Sequence, residues 1–317
     1  MLKMIRRRIL QIIPMLFVLS VISFLLVKLA PGDPIRLYVT PNMLPEDIER
    51  VRTSLGLNDP IYIQYFKWLL ELLQGNFGYS IRTSQPVLEE MLVRIPPTIG
   101  LMGASMILTL LIAIPMGLLS AKHENSWIDR TINFFSYIGI SIPSFWFGIL
   151  LIVFFAIELQ WLPTMGMRTI GTDTFGDLVK HSILPIVALT FQSSAIYYRY
   201  IRSNTISELK EEYVGFQKAL GFSQSEIIRK HVLKNVLLPV ITLLGMSLPT
   251  LISGAFIIEK IFSWPGMGSY GIDAIFGLDY PVIMAITLVS GLLLIIGNLF
   301  ADVIYQLVDP RIRKWGN

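Results

Sequence analysis

The sequence predicts an all-α integral membrane protein with six transmembrane helices, and three observations carry that prediction. Hydrophobic residues make up 53% of the 317 positions and charged residues only 15%, while the mean hydropathy of +0.62 is far above that of a soluble domain. The apolar residues are gathered into long runs. The basic residues lie between the runs, so the formal net charge of +4 indicates membrane orientation rather than nucleic-acid binding.

Six apolar runs are long enough to cross a bilayer, whose ~30 Å hydrocarbon core needs about 20 helical residues. They cover residues 9–28, 98–120, 132–157, 182–200, 236–258 and 281–301. Prolines that predict kinks occur in five of them, at Pro14, Pro115, Pro143, Pro185, Pro239 and Pro249. The first run is too long for the apolar region of a signal peptide, so we interpret it as a retained span.

The distribution of basic residues predicts that both termini lie in the cytoplasm. Lys3, Arg6, Arg7 and Arg8 precede the first span, and six spans return the basic C-terminal residues to the same side. The segment after the fourth span is equally basic, which places residues 203–235 in the cytoplasm.

Residues 30–96 then form an insert on the outer side. Asp59 and Pro60 are suited to begin a helix that runs to Gln74, with Gly75 placed to end it, and a shorter helix is expected over residues 45–55. The longer helix surrounds two charged residues with aromatic and leucine side chains. This pattern is typical of a helix that lies on the membrane or against a partner, and equally of one that packs on the chain's own spans.

No catalytic residue or metal site is predicted. The spans carry ionisable residues only at their ends, at Lys28, Glu158, Arg199, Glu259 and Asp302. This counts against a self-contained secondary carrier and against a membrane-embedded enzyme, which both remain alternatives. Cysteine is absent, the three histidines are dispersed, and there is no phosphate-binding GxxxxGK[ST] loop. ATP, if it is used, must be bound by another chain.

The segment after the fourth span contains two S/T-x-x-E patterns, Thr205 with Glu208 and Ser223 with Glu226. Each matches a capping box, which predicts two helices that meet at Gly221. An apolar stripe lies on the first helix and continues past the glycine, formed by Tyr213, Phe216, Leu220 and Phe222. The stripe either folds back on this chain's own helix ends or fills a socket in another protein.

A helix, a glycine and a second helix between two spans resemble the EAA loop of the membrane subunits of bacterial ABC importers. Two alanines of the general motif are replaced here by Phe216 and Gln217, and its final proline by Lys234. The match is closer to the peptide and nickel branch, through residues 219–221, His231, Leu233, Asn235 and Pro239. Other stretches similar to that branch are APGDP at 30–34, GNFGYS at 75–80, RIPPT at 94–98, PSFW at 143–146, HSILP at 181–185, FSWPGMG at 262–268 and VDPRIR at 308–313.

The resemblance implies a B-type permease of a dipeptide or oligopeptide importer with the type I ABC importer permease fold, in a bacterial plasma membrane. It implies as partners a second homologous permease, two ATPase subunits that bind ATP and Mg, an extracytoplasmic substrate-binding protein and membrane lipid. Nickel chelates and glutathione are alternative substrates. The residues expected to seat in the ATPase are Glu212, Tyr213, Phe216, Ala219, Gly221 and Phe222.

Overall fold

The computed structural model describes residues 2–29, 43–54, 56–253 and 255–308. Within these ranges all the regular secondary structure is helical, apart from one isolated β-bridge between Tyr79 and Pro86. The chain divides into two compact units. The N-terminal unit comprises Met1–Arg94 with Tyr270–Ile295, and the central unit comprises Ile95–Ser269 with Ile296–Asn317.

Thirteen α-helices follow one another along the described residues. They are α1 (Leu2–Leu29), α2 (Pro45–Ser54), α3 (Ile61–Leu73), α4 (Val87–Lys122), α5 (Trp127–Ser141), α6 (Ser144–Leu151), α7 (Phe175–Glu208), α8 (Glu212–Ala219), α9 (Gln224–Ile227), α10 (Leu233–Ser253), α11 (Phe256–Ile261), α12 (Met267–Phe276) and α13 (Tyr280–Val308). Two π-helical segments extend helices without a break, Ile152–Glu158 after α6 and Ile228–Val232 after α9.

Among the described residues, two helices are long and apolar enough to cross a membrane by themselves, α4 and the part of α13 over Tyr280–Leu299. The pair of α5 with α6 and its π-helical extension would make a third, and α1 contains a shorter apolar helix over Ile12–Leu26. The count of six spans therefore stays a prediction.

Two of the predicted spans are not continuous helices. The run over 132–157 bends by 96° between α5 and α6. Ile142 there is extended, with φ −90° and ψ 120°, because the ring of Pro143 disfavours helical geometry in the residue before it. The run over 236–258 is interrupted after Ser253, and Ala255 precedes the new helix α11.

The helices α2 and α3 confirm the two predicted in the insert, although residues 30–42 lie outside the described ranges. Gly75 has a φ of +84° at the end of α3, as a helix-terminating glycine should. Asp59, however, does not cap α3. Its carboxylate accepts a hydrogen bond from Lys67 Nζ at 2.6 Å, and α3 begins after Pro60 without a side-chain cap.

A buried carboxylate holds the end of the insert within the N-terminal unit. Asp279, which is 2% exposed, accepts hydrogen bonds from Ser80 Oγ at 2.5 Å and from the backbone N–H of Ile81 at 3.0 Å. The contact joins residues almost 200 positions apart in sequence. It fixes the turn before α4 against the turn before α13.

Candidate functional site

The segment after the fourth predicted span differs from the prediction at Thr205. Helix α7 continues to Glu208, so Thr205 lies inside a helix and cannot cap one. Its side chain is fully buried and its hydroxyl donates to the carbonyl of Ile201, one turn earlier, at 2.7 Å. A Thr hydroxyl in a helix interior commonly donates to the carbonyl four residues earlier. The S/T-x-x-E pattern does not act as a cap here because α7 continues past Thr205.

Glu208 has a different role from the one predicted for it as the partner of Thr205. Its Oε1 accepts a hydrogen bond from the hydroxyl of Tyr213 at 2.9 Å and another from Asn235 Nδ2. One carboxylate thus ties the end of α7 to α8 and to the start of α10. Burial, together with the neighbouring Glu208 carboxylate, raises the pKa of Tyr213 above its usual range, so the hydroxyl stays a donor.

One face of α8 packs on the chain's own helix ends. Val214 is 1% exposed and lies in the central unit's apolar cluster, which partly buried Tyr213 also contacts. The buried members of that cluster come from α4, α7, α8, α9, the π-helical segment after α9 and α10, and are Ala113, Tyr197, Tyr198, Ile201, Val214, Ile227, Val232, Val236 and Val240. The first alternative for the apolar stripe therefore applies to Tyr213 and in part to Phe222, whose ring lies edge-on to His231 with centroids 6.4 Å apart.

The opposite face of α8 and the residues just after it are largely exposed. Phe216 is 66% exposed, Leu220 is 61% exposed and Phe222 is 39% exposed, and Glu212 and Ala219 are exposed as well. We call Phe216, Leu220 and Phe222 the outer face. Large apolar side chains at the surface of a helix that is fixed from behind are typical of a protein contact.

The elbow between α8 and α9 is stiff. Gly221 has a φ of +88°, and hydrogen bonds from its N–H to Lys218 O and from Phe222 N–H to Gln217 O, at 3.0 and 3.2 Å, form a Schellman motif. The predicted capping box at Ser223 and Glu226 is confirmed. Its hydrogen bonds lower the pKa of the Glu226 carboxyl. The second helix then continues through the π-helical turn into α10.

A buried ion pair beneath this loop was not predicted. Asp129, at 2% exposure, accepts two hydrogen bonds from the guanidinium of Arg202 at 2.6 and 2.7 Å. Ser120 also donates to Asp129, and its hydroxyl lies 2.7 Å from that of Tyr198. The Arg202 guanidinium holds the pKa of the Asp129 carboxyl well below its usual range. The group joins the end of α4, the start of α5 and the C-terminal part of α7.

The sequence contained one signal for this pair. Asp129 and Arg202 are opposite charges next to the ends of neighbouring predicted spans, but no local pattern in the sequence pairs them. Ser126, which caps α5 by accepting from the N–H of Asp129, is the local feature that points Asp129 inward.

A basic cavity of about 330 Å³ opens beside α8. Its lining combines the turn between α4 and α5 with the end of α7 and parts of α8 and α9. The residues that line it include Lys122, His123, Glu124, Lys210, Lys218 and Gln224. Three ammonium groups around one concave surface favour an acidic partner segment.

Two of the stretches quoted for the resemblance meet at a third buried carboxylate. Glu259 is fully buried and accepts hydrogen bonds from Thr98 Oγ1 and from the backbone N–H of Ser269, each at 3.0 Å. A Cβ on Gly266 would clash with this carboxylate, so only glycine fits there. Trp264 closes the arrangement by donating to the carbonyl of Pro97 at 3.0 Å. Glu259 is thus a structural anchor of the turn before α12.

The described residues contain no group of three or more acidic, histidine or cysteine side chains that could hold a metal ion. What the central unit offers is a two-helix element, fixed from behind, with exposed aromatic and leucine side chains. Together with the apolar helices, it defines a membrane protein with a surface suited to a protein contact.

Comparison with known proteins places the chain in a family. The family described as the binding-protein-dependent transport system inner membrane component matches residues 113–314, and its N-terminal companion family matches residues 1–102. The chain belongs to this family. It is therefore the permease subunit of an ABC importer.

Relatives cover nearly the whole chain. The oligopeptide transport system permease protein AppB of Bacillus subtilis is 46% identical over 96% of this chain and 98% of its own length. The glutathione transport system permease protein GsiC of Escherichia coli is 37% identical over 99% of both chains. A putative peptide permease of Brucella suis is 38% identical over 94% of this chain and 95% of its own.

A solved structure shows the same fold. A chain of the MetNI methionine ABC transporter, in an inward-facing conformation, superposes with a TM-score of 0.59 at 18% identity, over 72% of this chain and 100% of that one. The all-helical architecture is the type I ABC importer permease fold predicted from the resemblance.

Proposed function

We propose that this permease forms half of the translocation path of a peptide importer. The names of its relatives support peptide as the substrate class, since oligopeptides and the tripeptide glutathione are both peptides. The other half of the path comes from a second homologous permease. Two ATPase subunits bind ATP and Mg on the cytoplasmic side, and an extracytoplasmic binding protein delivers the substrate.

The outer face of α8 is the surface that carries this proposal. Phe216 and Leu220 enter a cleft of the ATPase, while the basic cavity beside them receives an acidic segment of the same partner. When ATP closes the ATPase pair, the cleft moves and α8 moves with it. The motion reaches the spans because Glu208, Val214 and the elbow at Gly221 connect α8 firmly to α7 and α10.

In this arrangement the chain makes and breaks no covalent bond. ATP hydrolysis takes place on the partner chains, and the permease converts their motion into an opening of the path. The chain lies in the bacterial plasma membrane with six spans and with both termini in the cytoplasm, as the positions of its basic residues favour.

Cysteine crosslinking tests the coupling surface directly. The chain contains no cysteine, so Phe216→Cys introduces a single thiol into the outer face. We expect it to crosslink to a cysteine placed in the ATPase cleft, with a yield that changes when ATP is added. The control is Lys234→Cys, which is also exposed and cytoplasmic but lies at the start of α10. Equal crosslinking at both positions would contradict the assignment of the outer face as the surface that contacts the ATPase.

Uptake tests the substrate class separately. Cells with and without this chain are supplied with labelled di- and oligopeptides, labelled glutathione or nickel. The proposal predicts that uptake of peptides depends on the chain. If only nickel uptake depends on this chain, the peptide assignment is wrong and the protein carries a metal chelate instead.

A further inference from the structure

Helix α3 of the external insert presents three different faces. Its inner face packs on α1 through Tyr65, which is 7% exposed. The ring of Tyr65 lies in edge-to-face contact with Phe17 and Phe24, with centroids 6.2 and 5.5 Å away, and its hydroxyl lies 2.8 Å from that of Ser20. These contacts fix both the position and the rotation of α3 beside α1.

The contacts with α1 also set the depth of α3 relative to the bilayer. Lys28 ends the apolar run of α1 and donates a hydrogen bond to Gln64 of α3, so this contact marks the boundary between apolar core and headgroups. Phe17 and Ser20 lie inside the apolar run, two to three turns below that boundary. If the apolar run of α1 crosses the membrane, as the sequence predicts, α3 lies beside the end of that run, where acyl chains meet headgroups.

The second face of α3 is apolar and exposed. Its side chains are Tyr62, Phe66, Leu70 and Leu73, which are 64%, 56%, 59% and 76% exposed. Their spacing of four, four and three residues puts them on one side of the helix. We call these four residues the α3 stripe. At the same depth α1 also exposes apolar side chains, with Leu26 62% and Leu29 82% exposed.

The third face of α3 is polar and separate from the stripe. Lys67 forms an ion pair with Asp59, with Nζ 2.6 Å from Oδ2, and Glu71 accepts a hydrogen bond from Asn76 at 2.8 Å. Polar side chains on one side and uninterrupted apolar ones on another are typical of a helix that lies in the plane of a membrane surface. Trp68 and two tyrosines on this helix suit the same zone, which aromatic residues favour.

We propose that the α3 stripe is buried in the outer leaflet of the membrane, with lipid acyl chains as its contact. The depth set by Lys28 and the exposed apolar residues of α1 at that level both favour lipid over a water-soluble binding protein. Because its apolar side chains insert among the acyl chains, α3 anchors the insert and thus holds the turn at Ser80 and Asp279 at a fixed height above the membrane.

Spin labels on single cysteines test the proposal in the complete importer reconstituted in lipid nanodiscs. Phe66→Cys and Leu70→Cys place the label on the stripe, and Glu71→Cys places it on the adjacent polar face as the matched control. Collisions with oxygen, which partitions into lipid, and with a water-soluble nickel chelate are measured by power saturation. At 66 and 70 we expect oxygen to dominate, and at 71 we expect the nickel chelate to dominate.

Two outcomes would overturn the proposal. If the nickel chelate dominates at all three positions, the stripe faces water. If labels at 66 and 70 are immobile and unreachable by both reagents in the complete importer, but mobile in the isolated permease, a protein partner covers the stripe.

A charged maleimide provides an independent readout of the same surface. It should modify the thiol of the Glu71→Cys variant at least tenfold faster than that of the Leu70→Cys variant, and equal rates would contradict the membrane contact. Peptide uptake is recorded for each variant, so failure of the importer itself is distinguished from failure of the membrane contact.

Discussion

The two faces of α8 differ sharply in exposure to solvent, although Val214 on one face and Phe216 on the other are only two residues apart in sequence. Val214 is 1% exposed and packs among the ends of four other helices, whereas Phe216 is 66% exposed. Both are apolar, so hydrophobicity alone gives them the same role. Their surroundings separate them, since one side fastens the loop to the membrane domain and the other is available to a partner.

The largest effect is expected from a charge on the inner face. Val214→Asp places a carboxylate in an apolar cluster without a partner, which costs roughly 3 kcal/mol or more in folding free energy. Thermal unfolding and size-exclusion chromatography in detergent should show a destabilised or aggregated chain. Phe216→Asp is the matched control, because the same charge on the outer face stays in water and should leave the unfolding temperature nearly unchanged.

A smaller loss of stability is expected at the ion pair below the loop. Asp129→Asn leaves the guanidinium of Arg202 partly buried without its carboxylate, and removal of one partner of a buried pair costs about 3 kcal/mol. Because that guanidinium depresses the pKa of Asp129, the pair's contribution is present above the carboxyl's unfolded pKa of about 4 and is lost only as the pH falls further. Denaturation at pH 7 should therefore separate the variant from wild type. If the two unfold alike, the pair does not hold the base of the loop.

The elbow at Gly221 joins α8 to α9, and its substitution should affect coupling more than folding. Gly221→Val forces a β-branched residue into a φ of +88°, a strain of about 1–2 kcal/mol. Membrane insertion should persist while transport or recruitment of the ATPase falls. Gly215→Val is the control, because a Cβ at either glycine would have open space around it and only Gly221 has a positive φ. Wild-type uptake by Gly221→Val would contradict the role of the elbow.

The smallest effect is expected at the cap of the second helix. Ser223→Ala removes the acceptor of the Glu226 N–H and should cost about 1 kcal/mol of local stability. Hydrogen exchange should accelerate at residues 224–227 and remain unchanged in α7. Exchange that is unaltered throughout would show that the capping box does not stabilise this helix.

Local features of this fold could be predicted from the sequence, and features that depend on distant partners could not. The ends of α3 at Gly75 and of α8 at Gly221 follow from the chain's immediate neighbourhood, as does the cap at Ser223. The cap assigned to Thr205 was wrong because the same four-residue pattern also occurs inside a helix that continues. The contact of Thr98 with Glu259 joins residues 161 positions apart, which no local pattern reports.

The coupling residues divide along the same line. The stripe over Tyr213, Phe216, Leu220 and Phe222 was visible in the sequence as a helical periodicity. Which of its members face inward was not, because that depends on how α8 rotates against α7. The structure turns Tyr213 toward Glu208, leaves Phe216 and Leu220 outside, and places Phe222 partly against His231.

The central claim is that the outer face of α8 binds the ATPase. The most direct measurement is purification of the importer with Phe216→Ser and Leu220→Ser combined, followed by its ATPase activity and peptide uptake in proteoliposomes. We predict a folded permease that retains the second permease but loses the ATPase subunits, with uptake reduced at least tenfold. A variant that retains both ATPase subunits and wild-type uptake would contradict the claim.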